Sequence, residues 1–195
     1  PEIVLSAAAG RDTMRLHALA GPVEGNSVLL QASTGLLPVR RAAYARLMAD
    51  AQQRIRLIGR THLALRASGG TTYGGRFSPQ FFLSSLDNLR GFNFGDPRLL
   101  GDHYYVSNAL LIVPVDWLIA TPLLSGIYAV GGADFGAAFD DFRYAWTRRS
   151  LTAVTGANLA LGGILLQLHF GKLVDIGGVP GADWVFNLNL KYLYM

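Results

Sequence analysis

The chain has 195 residues, enough for one ordinary domain, with 17 lysines and arginines against 13 acidic residues and a net charge of +4. It has no cysteine, which excludes a disulfide scaffold and any thiolate metal site. Charged residues are 15% of the chain and mean hydropathy is +0.29, against about 25% charge in an average soluble domain, so the chain is charge-poor without being uniformly apolar.

The 23 glycines suit turns and strands better than long helices. No basic-then-apolar leader follows Pro1, so the chain reads as a fragment or a processed form, with any leader or periplasmic domain upstream. Turns are expected at Gly10-Arg11-Asp12, Pro22 to Asn26, Pro38, Asp116 with Pro122, Gly162-Gly163 and Gly177 to Gly181. Ser27 to Leu36 alternates Val28, Leu30, Ala32 and Thr34 against Ser27, Gln31 and Ser33.

The clearest signal is Gln53 to Ser68, expected as a single strand. Arg54, Arg56, Ile58, Arg60, His62, Ala64 and Arg66 fall on one face, and Ile55, Leu57, Thr61, Leu63 and Leu65 on the other. Successive strand side chains point to opposite faces, whereas a helix would scatter these arginines around its cylinder. Further along, Ile127, Ala129, Ala133, Phe135 and Phe139 oppose Tyr128 and Asp134, and Ile164, Leu166, Leu168 and Phe170 oppose Gln167 and His169. The chain ends on a terminal strand in which Trp184, Phe186, Leu188, Leu190, Tyr192 and Tyr194 alternate with Val185, Asn187, Asn189, Lys191, Leu193 and Met195. The count is about ten strands, at lengths close to the roughly 9–11 residues that a tilted strand needs to cross a bilayer.

Two other folds compete. By hydropathy, Ala109 to Val130 and Leu151 to Phe170 are candidate transmembrane helices. Pro114, Asp116 and Pro122 interrupt the first, and Gly156, Gly162 and Gly163 the second, which favours strands joined by turns. A soluble β-sandwich would also alternate, but the aromatic weighting at segment ends (Trp184, Tyr192, Tyr194) fits the interface girdle of a membrane barrel. The expected fold is therefore an all-β, antiparallel transmembrane β-barrel.

Catalytic chemistry finds no support. His17, His62, His103 and His169 lack metal-ligand spacing, and no Gly-x-Ser-x-Gly elbow or phosphate loop occurs. The one-sided Arg54–Arg66 pattern suits a polar lumen better than nucleic acid. The chain is expected to be no enzyme, to hold no cofactor or metal, and to bind no nucleic acid.

The stretch Phe82-Leu83-Ser84-Ser85-Leu86-Asp87-Asn88-Leu89-Arg90-Gly91-Phe92 resembles the long-loop motif of the bacterial surface antigen family, which includes BamA, TamA and the secretion transporter FhaC. Downstream, a strand ending at Pro114, the segment Gly131-Gly132-Ala133-Asp134-Phe135-Gly136 and Leu166-Gln167-Leu168-His169-Phe170-Gly171-Lys172-Leu173 follow in the family's order. Ser84 and Ser85 replace the family's paired glycines. Leu110 replaces its usual acid, Gly132 replaces an aromatic, and Met195 its final aromatic.

The resemblance implies that residues 1–195 form one domain, the C-terminal part of a barrel of about sixteen strands. Residues 69–101 would be a loop entering the lumen, with Arg90 pairing Asp134, Gly91 letting the backbone reach the wall and Phe92 wedging into it; Leu89 and Gly136 complete the motif. Arg54, Arg56, Arg60 and Arg66 would line the lumen, and the strand from Trp184 would form the seam. The implied place is the outer membrane of a Gram-negative-type bacterium. The implied work is insertion of outer-membrane proteins or translocation of a polypeptide, with the bilayer and client polypeptides as partners. A passive, arginine-lined pore or anchor is the alternative. Gly69–Gly101 and Asp140–Arg149 would lie on the outer side and Asp116–Thr121 in a short periplasmic turn.

Overall fold

The computed structural model describes residues 3–17, 21–37, 42–74, 78–115, 126–161, 164–174 and 183–192. The elements in chain order are β1 (Ile3–Asp12), β2 (Arg15–His17), β3 (Gly21–Leu37), β4 (Ala42–Ile58), β5 (Thr61–Gly74), β6 (Phe81–Phe82), β7 (Leu100–Gly101), β8 (His103–Pro114), β9 (Gly126–Phe139), β10 (Ser150–Leu161), β11 (Ile164–Val174) and β12 (Val185–Tyr192). Two short 3₁₀ turns, Pro97–Leu99 and Phe142–Tyr144, are the only helical pieces among the described residues. The described parts of the two stretches with helix-like hydropathy fold as strands, in β8, β9, β10 and β11.

The sheet is an antiparallel meander, β1-β3-β4-β5-β8-β9-β10-β11-β12, with β2 on the start of β3 and the β6–β7 pair standing apart in the β5–β8 connection. Among the described residues β1 and β12 do not pair, so the sheet is open rather than a closed barrel. Five strands follow the motif loop: β8 to β12.

Period-two patterning sorts the side chains. The motif loop packs on one face, here called inner, where Met48 of β4, Tyr104 and Val106 of β8, Ala138 of β9 and Leu173 of β11 close around Phe81, Leu83, Leu89, Phe92 and Leu99. One loop can touch strands that far apart in sheet order only if the sheet curls around it. A second inner cluster, Ala64, Leu110, Ile112, Tyr128, Val130 and Val154, lies beside it. The other face stays exposed and apolar: Leu5 is 73% exposed, Leu190 64% and Phe186 53%. That face has no covering layer among the described residues.

Several boundaries differ from the sequence reading. Gln53–Ser68 is a hairpin, not one strand: β4 ends at Ile58, and Gly59, at φ 56°, opens a tight turn with Arg60. Glycine is the residue suited to that left-handed backbone. A two-residue turn alone sets even-numbered against odd-numbered positions, as Ile58 opposite Thr61. The register shifts by one between Arg56 and Ile58, so Arg56 faces His62, Arg54 faces Ala64 and the even-numbered positions return to phase on the inner face. That is why the alternation read as continuous. Gly69 to Gly74 are not loop but the end of β5, paired with β4 and, through Thr71, with β8. Gly10–Asp12 and Pro22–Asn26 lie within β1 and β3, and the chain turns at Thr13 and Met14. Trp184 precedes β12. Tyr194, Met195, the expected turn at Asp116–Thr121 and the turn signals at Pro38, Pro122, Gly162-Gly163 and Gly177–Gly181 lie outside the described residues.

Candidate functional site: the inner-face motif loop

The β5–β8 connection folds back over the inner face. Its β6–β7 pair, Phe81 with Gly101 and Phe82 with Leu100, closes the base of the loop. Asp96 caps the Pro97–Leu99 turn by accepting from the Arg98 N–H. Arg98 also donates to both carboxylate oxygens, and this holds the Asp96 carboxyl below the usual carboxylate range. The Arg98 guanidinium lies 4.9 Å over the Phe92 ring.

Arg90 and Asp134 meet. The Arg90 Nη1 donates to Asp134 Oδ1 at 2.7 Å, and the Arg90 backbone N–H donates to Oδ2 at 3.1 Å. One arginine therefore holds both carboxylate oxygens, through its side chain and its main chain rather than through the guanidinium fork. Asp134 is fully buried and the Arg90 side chain 6% exposed. A charge-assisted contact in such a place is stronger than a solvated one.

Asn108 of β8 completes the clamp. Its Nδ2 donates to Asp134 Oδ1 and to the Asn88 carbonyl, both at 2.8 Å. Asn187 of β12 donates from Nδ2 to the Arg90 carbonyl at 2.8 Å, and Asn189 donates to Asp87 at 3.2 Å. Arg90 is thus a chord across the curled sheet, tied to β9 through Asp134 and to the last strand through Asn187. Two glycines make room for it. A Cβ on Gly171 would stand 2.2 Å from the Arg90 carbonyl oxygen, and one on Gly91 would stand 2.7 Å from the Leu173 nitrogen and from Thr152. Leu89 and Phe92 are buried in the loop's apolar cluster. Gly136 lies against the β8 backbone, two residues beyond Asp134.

The four arginines of the basic face do not share one environment. Arg66 donates through Nε to Asp50 at 2.7 Å and through Nη1 to Asn88 at 3.0 Å, fixing the loop to β4 and β5 rather than presenting free charge. Arg56 is exposed at the hairpin and donates to the Gly59 carbonyl. Arg60 reaches the Tyr128 hydroxyl at 3.2 Å. Arg54 faces an inner cavity of about 300 Å³ beneath the motif, bordered by Arg66, Arg90, Tyr128 and Gln167. Its Nη1 lies 3.2 Å from His62 Nε2, and it has no carboxylate partner among the described residues.

Sequence reasoning missed Asn108, Asn187, Asn189 and Asp50. Their signal was present: each sits at an inner position of an alternating strand. On the terminal strand Phe186, Leu188 and Leu190 are exposed, as is Trp184 just before it, and Asn187 is buried. No group of side chains among the described residues has the makings of a metal site. No protein-family profile matches the chain, and no curated protein matches it.

Proposed function

We propose that this chain is the C-terminal part of an outer-membrane β-barrel of the BamA/TamA/FhaC type, assisting insertion of outer-membrane proteins or translocation of a polypeptide. The observation that carries this reading is the Arg90–Asp134 clamp. It pins Leu89-Arg90-Gly91-Phe92 to the inner face of a meander whose opposite face is apolar and uncovered. A strand sheet with one polar, loop-filled face and one apolar face fits a lumen on one side and lipid on the other. Such a protein does its work without bond chemistry. It offers strand edges to a client, and the terminal strand β12, tethered by Asn187, is the edge next to the clamp.

The test is reconstitution of the protein carrying this chain into vesicles, with the folding of an unfolded outer-membrane β-barrel followed by its heat-modifiable gel mobility. The wild type accelerates folding and Arg90→Ala loses most of that acceleration. No acceleration by the wild type sinks the insertase reading.

One observation favours the alternative, a passive anion-favouring pore: Arg54 faces the inner cavity without a carboxylate partner among the described residues. Single-channel conductance with an anion preference that Arg54→Gln abolishes, without client acceleration, would select it.

A further inference from the structure

We propose that the outer face carries a binding site for an anionic membrane lipid, whose acyl chain lies in a groove on β3, β4, β5 and β8 and whose phosphate meets Arg149. This rests on the membrane-spanning reading given above.

The groove has a volume of about 750 Å³ and an almost wholly apolar lining. Register explains its shape. Ala49 pairs with Gly69, and Gly69 with Tyr105; one step along the strands, Ala32 pairs with Leu47. Three adjacent strands thus present Ala32, Ala49 and Gly69 as a floor with no bulk. The wall is aromatic and built up in layers. His103 pairs with Phe139 across β8 and β9, and the Phe142 ring folds down from the β9–β10 loop to 4.3 Å from His103. Phe139 is only 3% exposed although it points to the outer face, because this stack covers it.

The chemistry selects an acyl chain. Of the polar side chains that line it from the outer face, Thr71 and His103 bond each other at 2.6 Å and Tyr105 is held by the Ala145 carbonyl. The strand N–H and C=O groups along the floor serve the sheet ladder. A peptide laid here would find no hydrogen-bonding partner to set its register, whereas a methylene chain needs none.

The charge beside the groove selects an anionic head. Tyr105 donates its hydroxyl to the Ala145 carbonyl at 3.0 Å, and its ring is 5.8 Å from Phe135, which in turn is 6.4 Å from Trp146. The Arg149 guanidinium lies 4.3 Å over Trp146 and donates to the Trp146 carbonyl. The neighbouring Arg143 and Arg148 have Asp141 and Asp140 as partners; Arg149 has no carboxylate among the described residues. An aromatic belt with a stacked, uncompensated guanidinium at the end of an apolar trough matches a lipid phosphate above its own tail.

The test uses the protein carrying this chain, reconstituted in vesicles of dioleoyl phosphatidylglycerol or dioleoyl phosphatidylcholine, then extracted and washed in detergent. Retained lipid is read by native mass spectrometry. The wild type should retain the anionic lipid about fivefold better, the preference expected for one arginine at the headgroup level. Arg149→Gln should remove the preference and leave the zwitterionic level unchanged. Gly69→Leu should lower retention of both lipids. A Cβ at Gly69 meets only the Tyr104 carbonyl, at an ordinary 3.5 Å, so the strand accepts the change. Ala49→Leu, on an exposed floor position, repeats the filling independently. Equal retention of the two lipids by the wild type overturns the proposal, as does wild-type retention in both filled variants. A filled variant that changes oligomeric state instead of lipid retention makes the groove a contact between copies, which also overturns it. If no part of the sheet is protected from protease in either vesicle, the membrane reading itself falls; protection without lipid preference removes the lipid site alone.

Discussion

Removing either partner of the Arg90–Asp134 clamp should cost about the same, and removing both should cost no more. In Arg90→Ala the fully buried Asp134 carboxylate keeps two neutral donors, the residue-90 N–H and Asn108 Nδ2, but loses its one cation among the described residues. Breaking a buried pair in this way costs about 3–5 kcal/mol. The cavity beneath reaches Arg90, so water lowers that to the lower end, about 3 kcal/mol. In Asp134→Ala the guanidinium can turn toward the cavity, but the Arg90 N–H and one Asn108 amide hydrogen lose their acceptor, at about 1–3 kcal/mol each, while Asn108 keeps its bond to the Asn88 carbonyl. The double variant strands the same two neutral donors and no charge. Its cost should match Asp134→Ala alone, leaving a coupling of about 3 kcal/mol. Urea unfolding in detergent micelles, followed by tryptophan fluorescence, measures all four corners of the cycle. If the two single losses simply add, the clamp is not a unit and the reasoning fails.

Other consequences follow from neighbouring contacts. Asn187→Leu should free the β12 edge, so hydrogen exchange of residues 185–192 should quicken while β9 amides keep their protection; uniform exchange across both strands would contradict the chord. Gly171→Ala would press a methyl against the Arg90 carbonyl and should destabilise by about 1–3 kcal/mol, the usual range for overpacking, seen as a lower melting temperature. Asp50→Asn should loosen the loop without unfolding the sheet, because Arg66 still holds Asn88; faster proteolysis between Ser78 and Asp96 with unchanged melting is the expected result. Acidification should weaken the Asp96 cap. Its carboxyl titrates lower folded than unfolded, so the stability it contributes is present above the ordinary carboxylate range and lost as pH falls through the folded value. A loop-selective rise in exchange at low pH, absent in Asp96→Asn, checks it.

The strands were legible because alternation survives almost any local irregularity. The terminal strand shows this well: Asn187 and Asn189 turn inward and Phe186, Leu188 and Leu190 outward, as their spacing implies. The Gly59-Arg60 turn was invisible for the same reason. The one-residue register shift beside it restores the phase of the even-numbered positions, and one glycine in an Arg-rich run is a weak turn signal. Gly69 to Gly74 read as loop because three of its six residues are glycine, which weakens a strand pattern despite Thr71, Thr72 and Tyr73. Here Gly70 instead makes room for Tyr104 and Phe81, whose rings would crowd any Cβ. The Arg90–Asp134 contact was accessible only through the motif, since no local rule joins residues so far apart. The asparagines that complete it show their inward face in the alternation, but that they close on Arg90 and Asp134 emerges only from the three-dimensional register.

The central claim is that the face carrying the motif loop is a watery lumen and the opposite face meets lipid. Single cysteines at positions 54, 63 and 65, probed in intact membranes with a water-soluble maleimide, test it most directly. Residues 63 and 65 point outward and 54 inward along the same hairpin. The account predicts labelling at 54 and protection at 63 and 65 until the membrane is dissolved. Equal labelling at all three positions before detergent is added would contradict it.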